Sequence, residues 1–235
     1  MYKDIMMLIA PTNRSKAYLQ SMVNNGMFPS KVLIMTEDSP KLLDEENRNE
    51  EGSGIYFNEK IPIMHTILSN HIKYEFINTD DINSECIKDR LKECEESYVV
   101  YSGYGGAILK QHLFELGKKF IHIHAGALPE YRGSTTAYYS MLDKGIITAT
   151  AIFMNARLDD GDIICSLDFE LPPKGVDIDY IYEPYTRAQV LVKALQDYEK
   201  NGRFITTSQN KEKAETYYII HPVLKHVALL GRLRS

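Results

Sequence analysis

Two histidines alternate in the run Ile121-His122-Ile123-His124, and Ala125-Gly126-Ala127-Leu128-Pro129-Glu130-Tyr131-Arg132-Gly133 follows at once. In an extended chain, residues two apart point to the same side, so His122 and His124 share a face. An imidazole can take or give a proton near neutral pH, or donate a hydrogen bond to developing negative charge. Two satisfied histidines on a half-buried strand would look the same. H-x-H can also begin a metal site, yet no cysteine or further histidine lies nearby to complete one, and no metal is expected.

A second cluster, Arg157-Leu158-Asp159-Asp160-Gly161-Asp162, places three acids in four positions. Asp-Gly is a strong turn signal. An aspartate beside a histidine would also hold its tautomer and stabilise its charged form. A third feature is Ser102-Gly103-Tyr104-Gly105-Gly106. Its small residues would let backbone N–H groups approach a ligand. It has neither the spacing of a dinucleotide fingerprint nor a P-loop lysine.

The elements that must position these clusters alternate between two periods. Continuous apolar runs at Ile5 to Ala10, Lys31 to Met35, Tyr74 to Asn78, Tyr98 to Tyr101 and Phe120 to Ile123 read as buried strands. Helical spacing intervenes after Ser15, which is expected to cap a helix carrying Leu19, Met22 and Val23, then near 61–70, 83–95 and 107–116. Strands separated by helices point to a mostly parallel sheet with helices on both faces. The histidines would then sit at the carboxyl end of a strand, where open α/β sheets bind ligands. A helix over Thr135 to Leu142 precedes two strands, Ile146 to Phe153 and Ile163 to Leu171, whose short connection suggests an antiparallel hairpin. The longest helix spans Ile178 to Tyr198, with Pro184 marking a kink or a second start. The acidic stretch 37–54 reads as a solvated loop. The reading expects residues 1–200 as the catalytic domain and 201–235 as a C-terminal extension serving packing, an acceptor pocket or a dimer contact.

Composition narrows the class. The 235 residues carry a net charge of −5, which argues against a protein that lives on nucleic-acid phosphates. No run approaches a membrane span. The apolar segment after Asp4 is too short for a signal peptide. Cys86, Cys94 and Cys165 are odd in number and not spaced as C-x-x-C, so a disulfide framework is not indicated and a reducing cytoplasm fits. Cys86 and Cys94 are expected to pack as small apolar groups.

Taken together, SGYGGAIL (102–109), HIHAGALPEYRG (122–133) and LDDGDI (158–163) resemble the formyltransferase family, which includes glycinamide ribonucleotide, methionyl-tRNA and amino-sugar formyltransferases. The resemblance is close over residues 98–165, a matter of pattern in the first third, and nearly absent in the last fifty residues. It implies a Rossmann-like formyltransferase fold with a C-terminal β-hairpin and helix extension. It also implies 10-formyltetrahydrofolate as co-substrate and an amine acceptor. The family's catalytic His and Asp carry over to His124 and Asp159. Its Asn position holds His122, a departure, whose imidazole N–H would have to replace the amide at the oxyanion. By the same resemblance Tyr104, Gly105, Ile108 and Leu109 line the pterin side of the cleft, with Asp160 also placed toward the cofactor.

The chain is short for a methionyl-tRNA formyltransferase with its extra RNA-binding domain, so a small-molecule amine is expected, foremost an amino-sugar nucleotide. The partners are then small molecules, with no nucleic acid and no membrane, and a homodimer is open. Formyltetrahydrofolate hydrolysis, transfer from another carbonyl donor, and a non-catalytic binding module of the same fold are the alternatives.

Overall fold

The computed structural model describes residues 2–44 and 54–231. They form two compact units that divide between His122 and Ile123. Among the described residues no helix is long and apolar enough to cross a membrane.

The first unit is built on β1 (Ile5–Ile9), α1 (Asn13–Asn24), β2 (Val32–Met35), α2 (Ser39–Asp44), α3 (Ile63–Ser69), β3 (Tyr74–Ile77), α4 (Glu85–Glu93), β4 (Tyr98–Ser102), α5 (Gln111–Phe114) and β5 (Lys119–His124). Its strands lie in the order β3-β2-β1-β4-β5, all parallel. Every residue of β1 and β2 is buried. That is why these strands read as unbroken apolar runs: both faces of the sheet are covered. Ile5, Met6, Met7, Leu8, Leu33 and Ile34 are wholly inaccessible and form the centre of this core.

Four local expectations are corrected. Thr12, not Ser15, caps α1, its hydroxyl accepting from the Ser15 amide at 3.3 Å. Ser15 instead turns inward and its hydroxyl reaches Ser102 Oγ at 2.8 Å, tying α1 to the end of β4. The acidic stretch contains α2, which begins Ser-Pro, a sequence suited to a helix first turn; residues 45–53 of that stretch lie outside the described residues. The helix expected over 107–116 shrinks to the single turn of α5. The Asn83 side chain donates to the Ile108 carbonyl at 2.9 Å and accepts from the Lys110 amide at 2.7 Å, engaging groups that a helix would need. Cys94 is buried as expected, whereas Cys86 is exposed.

The second unit starts on the last residues of β5 and continues through β6 (Arg132–Gly133), α6 (Thr136–Lys144), β7 (Ile147–Phe153) and β8 (Ile163–Phe169). β7 and β8 pair antiparallel, with Ile147 opposite Phe169 and Ala151 opposite Cys165, forming the expected hairpin. A π-helical turn, Ile178–Tyr182, leads into α7 (Glu183–Asn201). Pro184 lies in the first turn of α7, so it marks a second start and leaves the long helix unbroken behind it. α7 packs on β7 and β8 through Ala188, Val190, Leu191, Ala194 and Leu195, all buried. Beyond it, β9 (Thr216–Tyr217) pairs parallel with β6, and α8 (Pro222–Gly231) packs on α6. Among the described residues the extension after residue 201 holds a 3-10 turn (Lys211–Lys213), a short strand and a helix. The hairpin of this unit is β7–β8.

Candidate active site

After β5 the chain reverses in a turn closed by the Tyr131 amide, which donates to the Ala127 carbonyl at 2.9 Å; the Leu128-Pro129 bond within it is cis. The reversal brings the Tyr131 carbonyl onto His124, whose Nε2 lies 2.6 Å from it. A carbonyl oxygen only accepts, so Nε2 carries a proton. Thr136 Oγ1, 3.3 Å from the same nitrogen, donates its own proton to the Ala125 carbonyl at 2.5 Å and is left as an acceptor there. A Cβ on Gly126 would fall 2.8 Å from both His124 Nε2 and the Tyr131 oxygen, so only glycine lets this hydrogen bond form. His124 is 4% exposed. Burial pushes its pKa below the ordinary value; the Asp159 carboxylate opposes that shift, and the Arg187 charge adds to it. At neutral pH the ring is then neutral with a lone pair on Nδ1.

That lone pair faces Asp159, whose Oδ2 lies 3.5 Å from Nδ1. The same oxygen accepts from the Gly133 amide at 2.9 Å. Asp159 has φ of +49°, a left-handed conformation uncommon outside glycine. Gly161 completes the turn where a Cβ would sit 1.5 Å from the Phe153 carbonyl. The turn expected from the Asp-Gly pair is thus real, and it aims an aspartate at a histidine 35 positions earlier. A neutral imidazole backed by a carboxylate can take a proton at Nδ1, and the imidazolium so formed pairs with Asp159.

His122, half-buried, stands two residues before His124 on β5 and ends the first unit. His124 and Asp159, with His122 earlier on the same strand, are residues that could hold a cation. Their donor types suit one, with Nδ1 free of its proton and Nε2–H anchored on a backbone carbonyl.

The residues expected at the cofactor fall into two groups. Tyr104 is half-buried, Gly105 is exposed, and Ile108 is 62% exposed, so this loop offers an aromatic ring and apolar surface. The Tyr104 hydroxyl donates to the Met35 carbonyl at 3.4 Å, and burial, aided by Asp80, pushes its pKa up to about 12. Leu109, 2% exposed, belongs to the core, because Asn83 folds the backbone on either side of it inward. Asp160 is committed as well: its carboxylate pairs with Arg132 at 2.7 Å and Arg157 at 3.6 Å. Those two ion pairs make Asp160 a brace for the turn. Arg14 braces the glycine loop, donating from Nε to Ser102 Oγ at 3.2 Å and from its terminal nitrogen to the Gly103 carbonyl.

In the second unit a buried histidine meets an aspartate, an arrangement able to take up and return a proton. The Formyl transferase family model matches residues 5–215, and the chain belongs to that family. Among curated relatives, a methionyl-tRNA formyltransferase of Finegoldia magna is 26% identical over 129 residues, 54% of this chain and 41% of its own length. That of Listeria monocytogenes is 32% identical over 130 residues, 53% of this chain and 40% of its own length. The chain thus spans about two fifths of the length of these relatives. Among solved structures, the N-formyltransferase of Helicobacter canadensis, in complex with folinic acid and dTDP-3-aminofucose, superposes with a TM-score of 0.58 at 17% identity, over 92% of this chain and 70% of that one. A sugar N-formyltransferase from a Shewanella species gives 0.57 at 18% identity, over 99% and 89%. At these identities the likeness shows the fold.

Proposed function

We propose that this chain transfers a formyl group from 10-formyltetrahydrofolate to a primary amine of a small molecule, foremost an amino-sugar nucleotide. The observation that carries the reading is the His124–Asp159 pair, in a chain matched by the family model along most of its length. The amine attacks the formyl carbon, a C–N bond forms, and the bond from that carbon to N10 of the folate breaks. The proton lost by the amine must reach N10. His124 Nδ1 takes it through water and Asp159 stabilises the imidazolium, which then returns it to the leaving nitrogen. Nε2–H is engaged by Tyr131, so His124 offers a hydrogen bond to the oxyanion only in its protonated form. His122, at the position of the family's asparagine, is the second group proposed to donate to that oxyanion. Tyr104, Gly105 and Ile108 form the wall offered to the pterin.

The sugar acceptor is supported by the net charge of −5, unsuited to a phosphate backbone, and by a solved structure of the same fold that holds dTDP-3-aminofucose. The curated relatives are named for methionyl-tRNA, which makes that acceptor the second reading. Release of tetrahydrofolate from 10-formyltetrahydrofolate should be followed with dTDP-3-aminofucose, with methionyl-tRNA, and with no acceptor. Release that needs the amino sugar supports the proposal. Release that needs methionyl-tRNA moves the acceptor to the second reading. Release with no acceptor means hydrolysis, and none in any arm means a binding module; either one contradicts the proposal.

A further inference from the structure

We propose that Gln209, in the C-terminal extension, is the positioning residue that holds Asp159 against His124. The proposal rests on the formyl-transfer reading of that pair. The segment around Gln209 is mostly exposed, yet Gln209 is half-buried and all three polar functions of its amide are used. Nε2 donates to the Asp159 carbonyl at 2.8 Å and to the Gly161 carbonyl at 2.7 Å. Oε1 accepts from Arg132 at 2.8 Å. A flipped amide would set Oε1 against two carbonyl oxygens, so the three bonds fix its orientation.

These contacts close a ring. Gln209 binds Arg132; the next residue, Gly133, donates its amide to Asp159 Oδ2; and the Asp159 carbonyl returns to Gln209. Both ends of Asp159 are therefore held, the backbone directly and the carboxylate through β6. This matters because the left-handed conformation of Asp159 persists only if its surroundings impose it. The backbone around Gln209 is anchored on the same two segments. Thr207 exchanges hydrogen bonds with Ile163 at 2.9 and 2.8 Å, Glu215 accepts from the Arg132 amide at 2.9 Å, and Tyr217 accepts from Ser134 at 2.9 Å.

The test uses the full chain with Gln209→Glu, Gln209→Met and Ser208→Ala. Glu keeps the acceptor for Arg132 and the shape of Gln but has no N–H for the two carbonyls. Met keeps the bulk and removes every polar bond. Ser208 donates to Asp162 at 3.0 Å, outside the ring of contacts around Asp159, and serves as the control. One readout is kcat and KM for 10-formyltetrahydrofolate with dTDP-3-aminofucose. The other is the titration of the His124 ring by NMR, assigned with His124→Ala, which needs no turnover. Gln209→Glu should lower kcat roughly 100-fold, as a misplaced catalytic group does, with KM within about threefold. In Gln209→Met, which adds no charge, the His124 titration should move to lower pH because the Asp159 carboxylate favouring its charged form is displaced. Ser208→Ala should change neither.

A Gln209→Glu protein that merely melts earlier, with kcat unchanged, or a Gln209→Met protein with the His124 titration unchanged, overturns the proposal. Should the Glu variant fail to fold, Gln209→Met is read by both criteria. If the wild type transfers no formyl group in any assay, the functional reading falls, and the NMR titration still decides the role of Gln209.

Discussion

Asp159 Oδ2 stands 3.5 Å from Nδ1 of His124, on the side of the ring away from its backbone anchor. The carboxylate meets a lone pair, so the contact becomes fully favourable only when a proton enters between them. The pair is set to receive a proton, which is what attack by an amine releases. Both side chains are nearly buried, where water screens the interaction little.

Asp159→Asn should therefore lower kcat/KM by about 100-fold or more, because an amide gives the imidazolium no charge to pair with. The circular dichroism spectrum should not change. Initial rates of tetrahydrofolate release, with the acceptor saturating, measure the effect.

The acid limb of the kcat/KM profile should have an apparent pKa below the ordinary histidine value of 6.5, since burial lowers that of His124. Around the ring, Asp159 and Glu183 favour the charged form, as does the bond to the Tyr131 carbonyl, and Arg187 opposes it. The unfolded chain takes up this proton at higher pH than the folded one. The contribution of His124 to stability is thus complete above pH 6.5 and is lost as pH falls through the lower, folded value. Rates from pH 4.5 to 8 check this; a limb at or above 6.5 would show that His124 is not the titrating base.

Gly126→Ala tests the anchor. Its methyl would need room 2.8 Å from Nε2 and from the Tyr131 oxygen, so the bond between them must open. The expected cost is about 1–3 kcal/mol in stability, from a strained core and a buried donor left unpaired. Urea denaturation measures it. The remaining folded fraction should also lose activity, because the ring is no longer held for Asp159.

His122→Asn puts back the residue that the family carries at this position. If the imidazole replaces the amide at the oxyanion, the variant keeps its rate within about tenfold. A much slower variant would mean the pocket is built around imidazole. Steady-state kinetics with the same donor and acceptor distinguish the two.

The parallel strands were legible because burial on both faces leaves nothing in them but apolar residues, as in Ile5–Ile9 and Val32–Met35. The hairpin turn at 159–161 was legible from Asp-Gly, and His124 and Asp159 were legible as chemistry-bearing types. The tautomer was not. It depends on a backbone carbonyl seven residues away, brought in by a chain reversal that no side-chain pattern records. Nothing local records that Leu109 is buried beside the bonds Asn83 makes to its two neighbours, or that Asp160 pairs with Arg132. Gln209 carried no signal at all, because an exposed-looking glutamine in a polar stretch gains its contacts from two segments some fifty to eighty positions earlier.

The most direct test compares wild type and His124→Ala, both shown to be folded, for tetrahydrofolate release from 10-formyltetrahydrofolate in the presence of dTDP-3-aminofucose. The account predicts acceptor-dependent release by the wild type and a rate about 100-fold lower or worse in the variant. Equal rates in the two proteins would contradict it.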